Sequence, residues 1–245
     1  MLSQQEQKEL VAQTAIDSLI KQKKIFSGMK IGLGTGSTAM PAVRRLAERI
    51  ADGTLKNVLA VVTSFQTANL CADLGIPVYS MNDRAIGGKL DLAIDGADEI
   101  APDNSVIKGG GAALFREKIV AYNSKIFVVI ADSSKVVKTL GTKFPLPVEI
   151  LEEARVPVIN AIAKLGGECV LRQGIRKAGP VITDNGNQLL DVLWKKSVDP
   201  AAMEKKINAI TGVVENGFFT RKKPIVFVTD EKGKTIQRAP NSKAK

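Results

Sequence analysis

DLAIDGADEIAPDNSVIKGGGAALFREK, residues 91–118, joins an apolar strand, a cluster of acids, a lysine, a glycine run and a helical segment in that order. The largely apolar segment 90–94 predicts a short buried strand, which leads directly into DGADE at residues 95–99. Open α/β sheets bind their ligands outside the carboxyl ends of the strands. We therefore expect the carboxylates of this cluster to line a binding site.

The glycine run at residues 109–111 follows Lys108 and precedes AALFREK, a segment of good helix propensity that carries Glu117. Glycine lets the backbone approach a ligand closely, and the free N–H groups of a first helical turn favour an anion. The stretch therefore predicts an anion site beside acids and a lysine. The alternative is that DGADE is a solvated polar turn, since Asp and Gly are ordinary turn residues. The order of the five features favours the site.

A second glycine-rich turn, GTGST at residues 34–38, follows a predicted strand at 30–33 and precedes a predicted helix. Its hydroxyls and the N–H groups of the helix suit a phosphate. A dinucleotide is less well supported, because the second predicted strand, 58–62, ends in Thr63 and Ser64 where an acid would hold a ribose. It is not a Walker loop, because no Gly-Lys-Ser/Thr follows. A turn that only caps the helix is the alternative.

The alternation of predicted strands and helices up to residue 140 indicates a parallel sheet with right-handed crossovers. The strand 126–130 ends in ADSSK, which places Lys135 at another carboxyl end, so three strand ends are expected to face one crevice. Strands, a hairpin turn at DNGN and two helices predict a smaller α+β domain at 141–220. We expect residues 1–140 and 221–245 to form the larger domain, with 239–245 as a frayed tail.

The composition indicates which kinds of binding partner the chain is suited to. The chain has 245 residues, 44% of them hydrophobic, and no apolar run of the length of a membrane span. Its N-terminus lacks the features of a signal peptide, which predicts a cytoplasmic protein without a membrane partner. The net charge of +10 is spread over pairs such as Lys195 and Lys196, and aromatic residues make up only 4%, so no nucleic-acid partner is expected. The basic surface is suited to steering an anionic substrate.

Histidine is absent from the sequence, which excludes Ser-His and Cys-His catalysis. A general base acting near neutral pH must then be a carboxylate, a lysine or a cysteine. The two cysteines, Cys71 and Cys169, are too few for a zinc site and are expected to be buried free thiols. The sequence therefore predicts no metal site of this kind and gives the acidic cluster more weight.

The motifs together resemble type A ribose-5-phosphate isomerase. The resemblance rests on GTGST at 34–38, DGADE at 95–99, KGGGAAL at 108–114 with REK at 116–118, KFPLPVE at 143–149 and TDNGN at 183–187. It implies a Rossmann-like, mostly parallel sheet domain with a second, smaller ferredoxin-like α+β domain. It also implies a homo-oligomer, with a dimer expected. The implied reaction, in the pentose phosphate pathway, interconverts ribose 5-phosphate and ribulose 5-phosphate without metal or cofactor. The departures, a long segment at 175–180 and the charged tail, leave the motifs intact.

Carried over to this sequence, the resemblance implies that Glu117 is the base that moves a proton between C2 and C1. Lys108 would stabilise the enediolate oxygen, while Asp95 and Asp98 would hold sugar hydroxyls and assist ring opening or proton transfer between O1 and O2. Lys135 would bind the phosphate, although Lys108 and Lys135 can exchange roles, and Lys8 is a further phosphate candidate. The expected substrate-binding residues are Thr35, Gly36, Ser37, Thr38, Asp95, Gly96, Ala97, Asp98, Lys108, Gly109, Gly110, Gly111 and Lys135.

Two other functions share some of these features. Glucosamine-6-phosphate deaminase has a similar glycine-threonine-serine turn but relies on a histidine, which this chain lacks. A sugar-phosphate sensor of the kind attached to bacterial repressors has the same fold, but it requires a DNA-binding module that we do not find before Gly32. Formation of ketose from ribose 5-phosphate would distinguish an enzyme from a sensor.

Overall fold

A computed structural model of the chain describes residues 1–240. Within this range the chain folds into two units. The first consists of Met1–Ala97, Arg116–Lys135 and the segment from Lys222 onward, and the second of Asp98–Phe115 and Val136–Arg221. The tail expected at 239–245 lies mostly outside the described residues.

The first unit contains a six-stranded sheet in the order β13-β12-β6-β3-β1-β2. All neighbouring strands are parallel except β13, which pairs antiparallel with β12. Long buried runs such as Phe127 to Ala131 in β6 are typical of parallel strands covered on both faces. The strands are β1 (Lys30–Leu33), β2 (Leu59–Val62), β3 (Leu90–Asp95), β6 (Ser124–Asp132), β12 (Ile225–Thr229) and β13 (Thr235–Arg238).

The helices α1 (Gln4–Lys21), α2 (Ala39–Ala51) and α3 (Phe65–Asp73) belong to the first unit, as does α4 (Leu114–Tyr122) from Arg116 onward. A capping box fixes the start of α1, because the Ser3 side chain accepts from the Glu6 N–H and the Glu6 carboxylate accepts from the Ser3 N–H. One face of α1, which includes Val11, Ile16 and Leu19, is buried in the core. No helix within residues 1–240 is long and apolar enough to span a membrane.

The order of the first sheet creates a topological switch point between β1 and β3. From β1 the chain crosses to β2 on one side, whereas β3 lies on the other side of β1 and leads on to β6. Loops that follow two such strands diverge and leave a crevice at their carboxyl ends. Residues 34–38 and 95–97 follow these two strands, so the fold brings the predicted phosphate turn beside Asp95.

The second unit contains a four-stranded antiparallel sheet in the order β10-β7-β9-β8. With its two helices the chain order is β7, α5, β8, β9, α6, β10, which is the ferredoxin-like arrangement. The predicted combination of a mostly parallel sheet with a smaller α+β part is thus confirmed. The elements are β7 (Leu146–Ile150), α5 (Arg155–Lys164), β8 (Gly167–Leu171), β9 (Gln188–Trp194), α6 (Pro200–Asn208) and β10 (Val213–Asn216).

A three-stranded sheet of very short strands also belongs to the second unit, and the sequence did not predict it. It joins β4 (Glu99–Ile100), β5 (Val106–Ile107) and β11 (Phe218–Phe219) in the order β11-β5-β4. Two-residue strands carry too little alternation to be recognised in a sequence. Their pairing is the reason that residues 98–115, expected within the domain 1–140, belong to the second unit.

Two segments with the residue composition of strands form only isolated bridges. The segment 76–79 contributes one bridge, between Val78 and Ala60, and the first arm of the hairpin at 181–183 contributes one between Ile182 and Gln188. In the hairpin, the turn after residue 183 is held by a side-chain contact, because the Thr183 hydroxyl donates to the Glu149 carboxylate at 2.9 Å. Side-chain hydrogen bonds of this kind compete with a regular ladder.

Candidate active site

The turn at residues 34–38, called here the phosphate loop, leads from β1 into α2. Gly36 adopts a φ of 93°, which favours glycine, and its N–H donates to the side-chain oxygen of Gln66 at 3.1 Å. The exposed Ser37 accepts a hydrogen bond from the amino group of Lys8 at 3.0 Å. Thr38 is the N-cap of α2, and its side chain makes no capping hydrogen bond. The loop thus presents hydroxyls, a lysine and a helix N-terminus together.

Thr35 is engaged within the protein. Its hydroxyl lies 2.6 Å from the hydroxyl of Thr63 and donates to that of Ser64 at 2.7 Å. Thr67 completes this hydroxyl network by donating to the Gly34 carbonyl at 2.7 Å. These contacts fix the shape of the phosphate loop. This network was not predicted, although Thr63 and Ser64, which follow β2, depart from the dinucleotide-binding pattern in the sequence.

Asp95 ends β3 beside the phosphate loop, with 3% of its surface exposed. Its carboxylate accepts from the Thr35 N–H at 3.1 Å and from the Gly96 N–H at 2.7 Å. A Cβ at Gly34 would overlap Oδ1 of Asp95, so the glycine is required for this close approach. The structure therefore brings Asp95 and the phosphate loop together, as the sequence predicted.

Glu117 lies in the first turn of α4 and is 4% exposed. The next residue, Lys118, is also buried, and the preceding Arg116 stacks on the ring of Phe65 at 5.1 Å. Lys135 is half-buried in a short 3-10 helix, Ser133–Lys135, directly after β6. Because β6 neighbours β3 in parallel, Lys135 follows the same carboxyl edge of the sheet as Asp95.

The second unit holds the other predicted site residues. The Gly110 N–H donates to Oδ2 of Asp98 at 2.8 Å, and a Cβ at Gly110 would lie 2.5 Å from Oδ1 of the same carboxylate. Lys108 is 2% exposed, with its amino group 5.8 Å from the centre of the Phe219 ring. The backbone of the glycine run therefore packs directly against the Asp98 carboxylate.

The prediction that the glycine run opens the helix was wrong. The run forms a turn in which the Ala112 N–H donates to the Gly109 carbonyl at 3.0 Å, and α4 begins only at Leu114. Gly109 has a φ of 107° and Ala112 one of 61°, values that interrupt a right-handed helix. The first helical N–H groups consequently lie after the glycines.

Glu99, the third acid of the cluster, has a structural role. It is fully buried, and its carboxylate accepts from the backbone N–H groups of Gly141, Lys143 and Phe144 at 2.5, 2.5 and 2.8 Å. These bonds hold the loop that leads into β7. No group of three or more Cys, Asp or Glu residues suited to a metal ion is found within residues 1–240.

The cysteines are poor candidates for the base. Burial raises the pKa of the Cys71 and Cys169 thiols to about 11 in each case, so both are neutral near pH 7. Neither forms a disulfide. Among the groups that the absence of histidine left open, carboxylates and lysines remain.

Comparison with known proteins decides the family. The family model for ribose 5-phosphate isomerase A (phosphoriboisomerase A) matches residues 59–233. The chain belongs to this family. A ribose-5-phosphate isomerase A from Treponema denticola is 60% identical over 228 residues, which cover 92% of this chain and 95% of that protein.

Solved structures of ribose-5-phosphate isomerases match the fold closely. One from Methanocaldococcus jannaschii has a TM-score of 0.86 and 44% identity, covering 96% of this chain and 100% of its own. A second, determined in complex with phospho-erythronic acid, has a TM-score of 0.88 and 37% identity, covering 97% of this chain and 100% of its own. The likeness extends over both units of the isomerase fold.

Proposed function

We propose that this chain interconverts ribose 5-phosphate and ribulose 5-phosphate. The observation that carries the proposal is the buried carboxylate of Asp95 beside the phosphate loop at the switch point of the first sheet. Membership of the isomerase A family supports it, and a related isomerase has been solved with phospho-erythronic acid, a phosphorylated sugar acid. A phosphorylated sugar presents the two chemistries that these groups suit, an anion and a row of hydroxyls.

The base in this proposal is Glu117. Moving the carbonyl between C1 and C2 requires one group to take the C2 proton and return it to C1. A carboxylate performs both transfers, and Glu117 is held in the first turn of α4 with little exposure to water. Burial of a catalytic group strengthens its electrostatic interactions with a substrate.

Lys108, Asp95 and Asp98 serve the intermediate and the hydroxyls. We assign Lys108 to the negative charge that develops on the enediolate oxygen, because a fixed cation stabilises charge that appears during the reaction. Asp95 and Asp98 accept hydrogen bonds from sugar hydroxyls and assist ring opening or proton transfer between O1 and O2. The turn around Asp98 includes Gly109, Gly110 and Gly111, and Gly96 and Ala97 line the strand end beside Asp95.

The phosphate is assigned to Gly36, Ser37 and Thr38 with Lys8 and Lys135. The hydrogen bond between Lys8 and Ser37 supports a larger role for Lys8 than the sequence suggested, because it holds a cation at the phosphate loop. Thr35 contributes by shaping the loop, since its hydroxyl and its N–H are both engaged with protein groups. An exchange of roles between Lys108 and Lys135 is the alternative.

The test is a direct assay. The purified chain is given ribose 5-phosphate, and ketose is measured by its absorbance after derivatisation and by NMR. We expect equilibrium between the two sugar phosphates to be reached from either side. Binding of ribose 5-phosphate without any ketose would identify a sensor and would refute the proposal. The homodimer and the cytoplasmic location expected from the sequence stay predictions.

A further inference from the structure

Arg172, directly after β8 in the second unit, is fixed at four points. Its Nε donates to Oδ2 of Asp191 at 2.9 Å, and Nη2 donates to Oδ1 of the same carboxylate. Its Nη1 donates to the carbonyls of Gly109 and Gly110 at 2.9 and 3.2 Å. The two side chains are 14% and 21% exposed. A bidentate pair of this kind holds the guanidinium in one orientation, which a lysine cannot reproduce.

The contact with Gly109 reaches Asp98 through a single peptide group. The carbonyl of Gly109 and the N–H of Gly110 belong to the same peptide, and this N–H donates to Oδ2 of Asp98 at 2.8 Å. Hydrogen bonds in a chain polarise one another, so a cation on the carbonyl makes the N–H a stronger donor. Asp191, Arg172, the Gly109–Gly110 peptide and Asp98 therefore form one continuous chain.

Arg172 adds a contact from a distant strand end to the turn that the Ala112 N–H closes on the Gly109 carbonyl. Glycine has more backbone freedom than any other residue, and Gly110 and Gly111 are exposed at the surface of their unit. Arg172 binds two successive carbonyls of the run, which fixes the direction of the peptide between them. We expect that loss of Arg172 loosens the direction of the Gly110 N–H toward Asp98.

We propose that Arg172 and Asp191 are positioning residues that set the orientation and hydrogen bonding of the Asp98 carboxylate. This inference rests on the proposed function, in which Asp98 handles sugar hydroxyls. Neither residue is assigned a contact with the substrate. Their effect on the reaction is exerted through the glycine run.

The experiment compares Arg172→Gln, Arg172→Lys, Asp191→Asn and Asp98→Asn with the double variant Arg172→Gln/Asp98→Asn. We expect Arg172→Gln to lower kcat by about 10- to 100-fold, the scale of a small misplacement of a catalytic group. KM should rise by a smaller factor than kcat falls, because the phosphate loop is untouched. Arg172→Lys should restore activity only in part. The double variant should be no slower than Asp98→Asn, because coupled residues are not additive.

Lys195→Gln is the matched control, since it removes an exposed ion pair with Glu168 in the same unit, at 2.9 Å, and should leave kcat unchanged. Losses that multiply in the double variant would overturn the proposal, as would a folded Arg172→Gln with the kcat of the wild type. Should Arg172→Gln fail to fold, Arg172→Lys and its double variant with Asp98→Asn carry the same comparison.

Hydrogen exchange at the Gly110 amide tests the positioning role independently of the proposed function. The exchange rate can be measured whether or not the chain is an active isomerase. Faster exchange in Arg172→Lys than in the wild type supports this role even if the chain does not isomerise ribose 5-phosphate. Unchanged exchange in a folded Arg172 variant refutes this role even if the wild type is an active isomerase.

Discussion

Among single residues, Glu117 is the one whose substitution we expect to reduce activity most. Glu117→Gln keeps the shape of the side chain but removes its basic oxygen, so kcat should fall by roughly 10² to 10⁴ or more, the range of general-base contributions. KM should rise little, because the amide leaves hydroxyl and phosphate contacts in place. Steady-state assays that separate kcat from KM check this, since a fall in kcat alone indicates lost stabilisation of the transition state.

Asp95→Asn is the control for Glu117→Gln. In our assignment Asp95 handles hydroxyls and ring opening, so exchange of the C2 proton with deuterated water should persist in Asp95→Asn when open-chain sugar is available. It should be lost in Glu117→Gln. The reverse pattern, with normal exchange in Glu117→Gln and none in Asp95→Asn, would make Asp95 the base.

Among turns and helices, the glycine run provides the next test. Gly110→Ala places a Cβ only 2.5 Å from Oδ1 of Asp98, which is closer than van der Waals contact, so the carboxylate has to move. Gly110 does not have a positive φ, so alanine is compatible with the backbone and the protein should fold. We expect substrate turnover to fall at least tenfold, the scale of a small displacement of a catalytic group. Thermal unfolding should shift by only a few degrees. Normal binding and turnover in the folded variant would show that the run is only a turn.

Asp17 on α1 forms ion pairs with Arg45 and Arg49 on α2. Burial alone would raise its pKa, but hydrogen bonds from Arg45 and Arg49 outweigh burial and hold the pKa of Asp17 below its ordinary value. Because Asp17 is 37% exposed, the stabilisation is modest. Asp17→Asn should cost about 1 kcal/mol of unfolding free energy. The corresponding fall in Tm is about 2 to 4 °C.

The dependence of this effect on pH follows from the sign of the shift. Since the pKa of Asp17 is lower in the folded than in the unfolded chain, its contribution is complete above the ordinary value of 3.8. It disappears as the pH falls through the folded-state pKa. The difference in Tm between wild type and Asp17→Asn should therefore narrow below about pH 4. Glu48→Gln, which removes an exposed pair within α2, should change Tm much less.

For the protein as a whole, we expect activity without a metal ion. In our assignment Lys108 supplies the positive charge that a Lewis acid would otherwise provide. The carboxylate of Glu99 accepts hydrogen bonds from three backbone N–H groups. Activity should survive exhaustive treatment with EDTA followed by gel filtration. The opposite result, activity lost to the chelator and restored by Mg²⁺, would assign Asp95 and Asp98 to a cation.

Local features were predictable from the amino-acid sequence. The alternation of apolar strands with helices predicted the parallel sheet, and the strand predicted at 30–33 has the bounds of β1. The acids at the end of β3, the lysine before the glycines and the glycine-rich turn after β1 were all selected as candidate site residues, and their roles stay predictions. Each of these depends on the periodicity or conformational preference of neighbouring residues, which a short window of sequence contains.

Which of these residues are neighbours depends on how the strands pair. The strand order places β1 beside β3, and this pairing brings Asp95 to the Thr35 N–H and makes Gly34 indispensable. Tertiary contacts also turned Glu99 inward, drew the Thr35 hydroxyl into a network with β2 and α3, and tied Arg172 to the glycine run. Residues far apart in the chain meet only because particular strands pair, and no local pattern specifies that pairing.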